Sequence, residues 1–97
     1  MVVSVVVCDL HLPQARSLKE KRKVLQSIIV RLAAHHRVSV AETAYQDLHQ
    51  RIQLGMAAVD RSAAMAEQRT EKIRELIEGY PEVVIARWSC DFIEDLR

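Results

Sequence analysis

The sequence predicts an α+β domain of the ferredoxin-like kind, a four-stranded antiparallel sheet with two helices on one face. Three observations carry that prediction. Two long stretches, residues 18 to about 35 and 62–78, repeat their apolar residues at three- and four-residue steps, the period of an amphipathic helix. Four other stretches are rich in valine, isoleucine and aromatic residues and read as strands. Their order is β-α-β-β-α-β, the split βαβ pattern, and right-handed crossovers then put both helices on the same side of the sheet. The 97 residues suit one such domain, spanning 1–97.

Residues 2–12 form the first strand, in which valine dominates and nothing favours helix. Val6, Cys8, Leu10 and Leu12 fall on one face. Val3, Val5 and Val7 fall on the other, followed there by Asp9 and His11. A strand apolar on both faces is normally central in its sheet. Pro13 ends it, and residues 14–16 make the crossing. In the first helix Leu18, Val24, Leu25, Ile28, Ile29 and Leu32 make the apolar stripe. Lys19, Arg22 and Lys23 make a separate basic stripe, since residues three and four apart are helix neighbours. Lys21 lies beside the apolar stripe, where its stem is expected to pack while its ammonium snorkels to water. His35, His36 and Arg37 close the last turn, where positive charge is favoured.

Residues 38–45 read as the second strand and 50–59 as the third. Along the third, Ile52, Leu54, Met56 and Ala58 face one way, and Arg51, Gln53, Gly55, Ala57 and Val59 the other. The connection through Gln46, Asp47 and His49 has no Asn-Gly or Asp-Gly pair, so a wider hairpin loop is expected. Gly55 in mid-strand points to a bulge or a close approach of another backbone. The second helix turns Ala66, Ile73, Leu76 and Ile77 inward. Gly79 is expected in the left-handed conformation just past its end, with Pro81 blocking continuation. Residues 83–93 are the fourth strand, with Val84, Ala86, Trp88, Cys90 and Phe92 on one face and Arg87, Ser89 and Asp91 opposite.

Composition narrows the function. A net charge of +1 argues against a generally basic nucleic-acid wrapper. The charge is patterned instead: residues 16–23 hold five cations against one carboxylate, +4 in all, which leaves −3 on the rest of the chain. Residues 1–8, MVVSVVVC, lack a basic leader region and are far shorter than a membrane span, so no targeting or membrane segment and a cytoplasmic location are expected. Cys8 and Cys90 lie in strands whose pairing sets them several residues out of register, and are expected as reduced, buried thiols. Gly55 and Gly79 are the only glycines, which excludes a phosphate-binding glycine loop and a nucleophile elbow around any serine. No catalytic residue and no cofactor are expected. The tripeptide Asp-Leu-His occurs at 9–11 and 47–49, and two such pairs could offer zinc four N/O ligands. They sit on different elements, and no metal site is expected.

The best candidate site is the segment Arg16 to Arg22, RSLKEKR, where the first helix begins. Ser17 and Glu20 have capping-box spacing: the hydroxyl accepts from the Glu20 amide while the carboxylate reaches back to the Ser17 amide. Arg16, Ser17, Lys19, Arg22 and Lys23, beside the positive end of the helix dipole, make a corner suited to phosphate. A charged helix face also serves solubility, and a capping box needs no ligand. The central strands lack the aromatics on which an RNA-recognition sheet stacks bases, and no GXXG clamp is present. RNA or a ribosomal particle would therefore be held by backbone charge and shape, with no sequence readout of RNA or DNA. The second candidate is the sheet face away from the helices. Val3, Val5, Val7, Ala57 and Val59 leave it apolar where an open face should turn polar, which marks a homodimer or partner surface.

The segments LHLPQARSLKEKRKVL (residues 10–25), SVAE (39–42) and DLHQRIQLG (47–55) resemble the YlxP-like family of small bacterial proteins, also classed as a domain of unknown function. The resemblance spans the whole chain with the same element order. It implies a ferredoxin-like fold, no established activity, and a setting among translation and ribosome-maturation genes that suggests an RNA or ribosome connection. The chain departs from the family pattern at His49, where tryptophan is usual, and at Gln14, often glycine.

Overall fold

A central strand paired on both sides explains the five valines among residues 2–7. In the computed structural model, which describes residues 1–94, the elements are β1 (Val2–His11), α1 (Leu18–His36), β2 (Ser39–Ala44), β3 (Arg51–Asp60), α2 (Ala63–Glu78) and β4 (Val84–Ile93). The strands make one antiparallel sheet in the order β2-β3-β1-β4. β1 pairs along its length with β3, from Val2 opposite Asp60 to His11 opposite Arg51, and with β4 on its other edge. Both helices cover one face, and the arrangement is ferredoxin-like.

The core lies between that face and the helices. β1 contributes Val6, Cys8 and Leu10, with Leu12 just beyond it, and β3 contributes Ile52, Leu54, Met56 and Ala58. Leu25, Ile28 and Leu32 descend from α1, and Ile73 and Ile77 from α2. Each such aliphatic side chain contributes about 1.5–3 kcal/mol when fully buried. Arg69 of α2 ties the elements together at the far end. Its Nε and Nη2 donate to the two oxygens of Asp60 at 2.8 and 2.7 Å, and its Nη1 donates to the His36 carbonyl at the end of α1. These guanidinium hydrogen bonds hold the buried Asp60 carboxyl below its ordinary range, against an opposing push from burial.

Four details differ from expectation. β4 carries a bulge: Asp9 pairs with Arg87 but Leu10 pairs with Ile85, so Ala86 is the extra residue. One extra residue reverses the inside-outside parity. Val84 therefore stands on the open face, 56% exposed, and Ile85 packs against the core in its place. Gly79 is right-handed (φ −71°, ψ −11°), not left-handed. The reason is that the last turn tightens, with the Tyr80 amide bonded to the Ile77 carbonyl at 3.1 Å, and carries the Tyr80 ring into the core. The Tyr80 hydroxyl meets Ser27 Oγ at 2.7 Å. Around Gly55 the bulge is on the facing strand, at Thr43, and the close neighbour is a side chain: a Cβ on Gly55 would lie 2.7 Å from Thr43 Cγ2. The cysteines are two residues out of register, Cys8 opposite Trp88 and Cys90 opposite Val6; both are free thiols, but only Cys8 is buried, Cys90 being half-buried on the edge strand β4.

Candidate functional site

The β1–α1 connection is held by its own chain before any ligand is considered. Gln50 Nε2 donates to the carbonyls of Pro13 and Ala15, each at 3.3 Å, and the Leu12 amide donates to the Gln50 carbonyl at 2.8 Å. Ser17 is extended (φ −155°, ψ 162°) and caps α1, its Oγ accepting from the Glu20 amide at 3.2 Å. The Glu20 carboxylate accepts from the amide of Arg16, not of Ser17. In extended chain successive N–H groups point to opposite sides, so only one of the two can face the helix end, and it is that of Arg16. The N-terminus of α1 thus already has a carboxylate of its own. What the corner offers a partner is side-chain charge. Arg16, Lys19, Arg22 and Lys23 are all exposed, while Ser17 is half-buried under its capping bond.

Lys21 belongs to the core side of α1. It is 1% exposed and in phase with Leu25, Ile28 and Leu32, at steps of four, three and four. Its ammonium does not snorkel. Nζ donates to the carbonyls of Tyr45 at 2.7 Å and Leu48 at 2.8 Å, has the Gln46 carbonyl at 3.4 Å, and pairs with Glu42 Oε2 at 2.8 Å. An ammonium taken out of water must find such partners, and the β2–β3 loop supplies them by turning its carbonyls inward through Tyr45 in the left-handed region (φ 65°). Arg51 stacks over the Tyr45 ring, 4.0 Å from its centroid. Two signals in the sequence point to this clamp: a lysine in phase with the buried stripe, and Glu42 in phase with the inward Val40 on β2. With Lys21 neutralised by Glu42, the outward charge of the corner is four cations against Glu20.

The concavity beside the corner does not suit a small anion. It is a cleft of about 240 Å³ lined mainly by Leu12, Pro13, Ala15, Val24 and Pro81, and it carries the carboxylates of Glu20 and Glu82. Arg16 borders a more open hollow with Pro13, Gln14, Ala15 and Gln50, and Lys19, Arg22 and Lys23 are exposed on α1.

The open sheet face is the second surface, across the sheet from α1. Val3 stands opposite Val59 and Val5 opposite Ala57. Val5 and Val7 are each 38% exposed and Val59 61%, Ala57 is exposed and Val3 half-buried. Toward the other end the face turns polar: Thr43 Oγ1 donates to Gln53 Oε1 at 2.9 Å, and Gln53 Nε2 donates to Asp9 Oδ1 at 3.0 Å. Asp9, of the first Asp-Leu-His tripeptide, is therefore engaged within the sheet. Among the described residues no three His, Cys, Asp or Glu side chains gather as a metal would require. Burial, with Asp9 adding to it, pushes the Cys8 thiol up to about 12, which removes it as a nucleophile.

An antiparallel sheet in the order β2-β3-β1-β4 with two helices on one face defines a ferredoxin-like α+β sandwich. The same arrangement is found in the de novo designed protein Foldit4, which matches 99% of this chain and 100% of its own length with a TM-score of 0.54. At 12% identity that likeness concerns the fold alone. The sequence goes further: residues 3–90 match the family described as "Protein of unknown function (DUF503)", and the chain belongs to that family. It is 38% identical over 76 residues to the uncharacterized protein YlxP of Bacillus subtilis (strain 168), an alignment covering 78% of this chain and 83% of the relative. Among the described residues no helix is long and apolar enough to cross a membrane.

Proposed function

We propose that this protein is a non-catalytic binding module of the cytoplasm that contacts the phosphate backbone of RNA, free or within a ribosomal particle, through Arg16, Lys19, Arg22 and Lys23. The observation that carries this reading is the outward placement of all four cations at the start of α1 while the fifth, Lys21, is turned inward and neutralised by Glu42. Four exposed cations spread over residues 16–23 fit a repeating polyanion better than a single phosphate, and the Glu20 amide of the helix start is already taken by Ser17 Oγ. The translation-gene setting implied by the family resemblance agrees with it. The test is binding to a single-stranded RNA across a salt series, with the wild type beside a Lys19→Glu, Arg22→Glu variant. Loss of two phosphate contacts should flatten the slope of log affinity against log salt by about 1.4 and weaken binding at low salt. Equal affinity and equal slope in the two proteins would contradict the reading.

A second reading concerns the other side of the molecule. The exposed Val5, Val7 and Val59 support the open face as a protein-interaction surface, since apolar residues clustered on a sheet face with no cover mark a binding patch. The two surfaces lie on opposite sides of the sheet, so both can be occupied at once.

A further inference from the structure

We propose that the open face takes a second copy of this chain, packed sheet against sheet about a twofold axis along the row Ala41, Gly55, Val7 and Ser89. This rests on the reading of that face as a protein-interaction surface and adds to it an occupant and an orientation. The strand registers set those four residues in one line across β2, β3, β1 and β4. None of them is larger than valine, so two sheets can approach to the spacing of about 10 Å at which sheet faces pack.

The charge on β4 selects the partner. Arg87 and Asp91 stand two residues to either side of Ser89, on the open face opposite Asp9 and Val5, and both are exposed. Among the described residues neither makes an ion pair. A surface that binds its own copy must be self-complementary, with each position meeting the one that the axis exchanges with it. Opposite charges spaced equally about Ser89 satisfy that condition: Arg87 of one protomer comes over Asp91 of its partner, and the reverse contact forms at the same time. Asp9 and Gln53 are bonded to each other, so their polar atoms can be covered while keeping a partner.

Antiparallel pairing of two β4 edges about Ser89 would match the same charges. It leaves Val5, Val7 and Val59 in water, and the bulge at Ala86 disturbs the edge it would use. Face packing removes the valines from water as well: the axis that brings Arg87 over Asp91 brings Val5 and Ala57 over the partner's Asp9 and the partner's Gln53.

The experiment is sedimentation equilibrium on the full chain over a concentration series, with circular dichroism confirming that each variant is folded. The proteins are the wild type, Arg87→Asp, Asp91→Arg, the two changes combined, and Val7→Lys. The wild type should sediment at twice the 11.1 kDa protomer mass. Either single reversal creates two like-charge contacts and should raise the dimer dissociation constant about tenfold or more, while the combined variant returns to near the wild-type value. Val7→Lys sets two ammonium groups against each other across the axis and should be monomeric. A wild type that stays monomeric overturns the second copy as occupant. Dissociation by Val7→Lys with no effect of the charge reversals overturns the orientation and leaves the face reading standing. Dissociation by the reversals with no effect of Val7→Lys assigns the β4 edge and overturns face packing.

Discussion

Replacing Lys21 with methionine would leave the carbonyls of Tyr45 and Leu48 and the Glu42 carboxylate facing a thioether. Nothing else among the described residues makes an ion pair with that carboxylate. Removing one partner of a buried ion pair costs about 3–5 kcal/mol, because the other charge stays buried and uncompensated. Glu42 keeps 16% of its side chain in water, which places the expected loss near the lower limit, about 3 kcal/mol. Against a total stability of roughly 5–15 kcal/mol for a domain, that is a large fraction. Urea unfolding of Lys21→Met should show it as a lower midpoint, and a Lys21→Met, Glu42→Met double variant should recover part of the loss through the coupling term. A change below about 1 kcal/mol in the single variant would show that the loop does not depend on the clamp. Arginine at position 21 is not a substitute, since a planar fork cannot send three donors to carbonyls arranged around a point charge.

At the level of elements, Arg69 joins α2 to the end of β3 and to the last carbonyl of α1, and this brace gives the fold a pH signature. The Asp60 carboxyl is held below its ordinary value of 3.8 by Arg69, so in the window between the folded and unfolded values the unfolded chain binds more protons. Its contribution is complete above that window and is lost as the pH falls through the lower, folded value. His36 is pushed below 6.5, first by burial and then by His35, Arg69, Lys72 and Arg31. The same sign applies, and stability begins to fall once the pH drops below 6.5. Two acid stages are therefore expected in a plot of unfolding free energy against pH. Asp60→Asn should remove the lower stage, keep the upper one, and cost on the order of 3 kcal/mol at neutral pH, since Arg69 loses its charged acceptor. Survival of the lower stage in that variant would assign it to other carboxylates.

The elements themselves were legible because periodicity and packing agree. The stripe Leu25, Ile28, Leu32 and the alternation Ile52, Leu54, Met56, Ala58 both mark the side that meets the other in the core. Parity was legible only while no residue was inserted. The Ala86 bulge has no glycine or proline to announce it, so the exchange of Val84 and Ile85 could not be read from alternation. For the candidate site, the cationic start of α1 was legible from charge spacing. The inward turn of Lys21 was obscured, because the partners that make burial tolerable are mostly backbone carbonyls some 24 to 27 residues away, and carbonyls carry no sequence identity.

For the molecule as a whole, the sheet separates two surfaces of different chemistry. One side carries α1, with Arg16, Lys19, Arg22 and Lys23 facing solvent at its start; the other carries the exposed Val5, Val7 and Val59, with Arg87 and Asp91 on the neighbouring β4. A dimer formed through the open face would leave the two basic corners pointing outward from a shared sheet stack, so RNA contact and self-association need not compete. A bivalent arrangement also raises apparent affinity for any RNA long enough to reach both corners. The central claim is that the start of α1 is where RNA meets the protein. The most direct measurement is a titration of nitrogen-15-labelled protein with a short single-stranded RNA at low salt, following each backbone amide by NMR. The account predicts that the largest shifts fall on residues 16–23 and fade as salt is added. Shifts confined to the open face, or no shifts at an RNA excess, would contradict it.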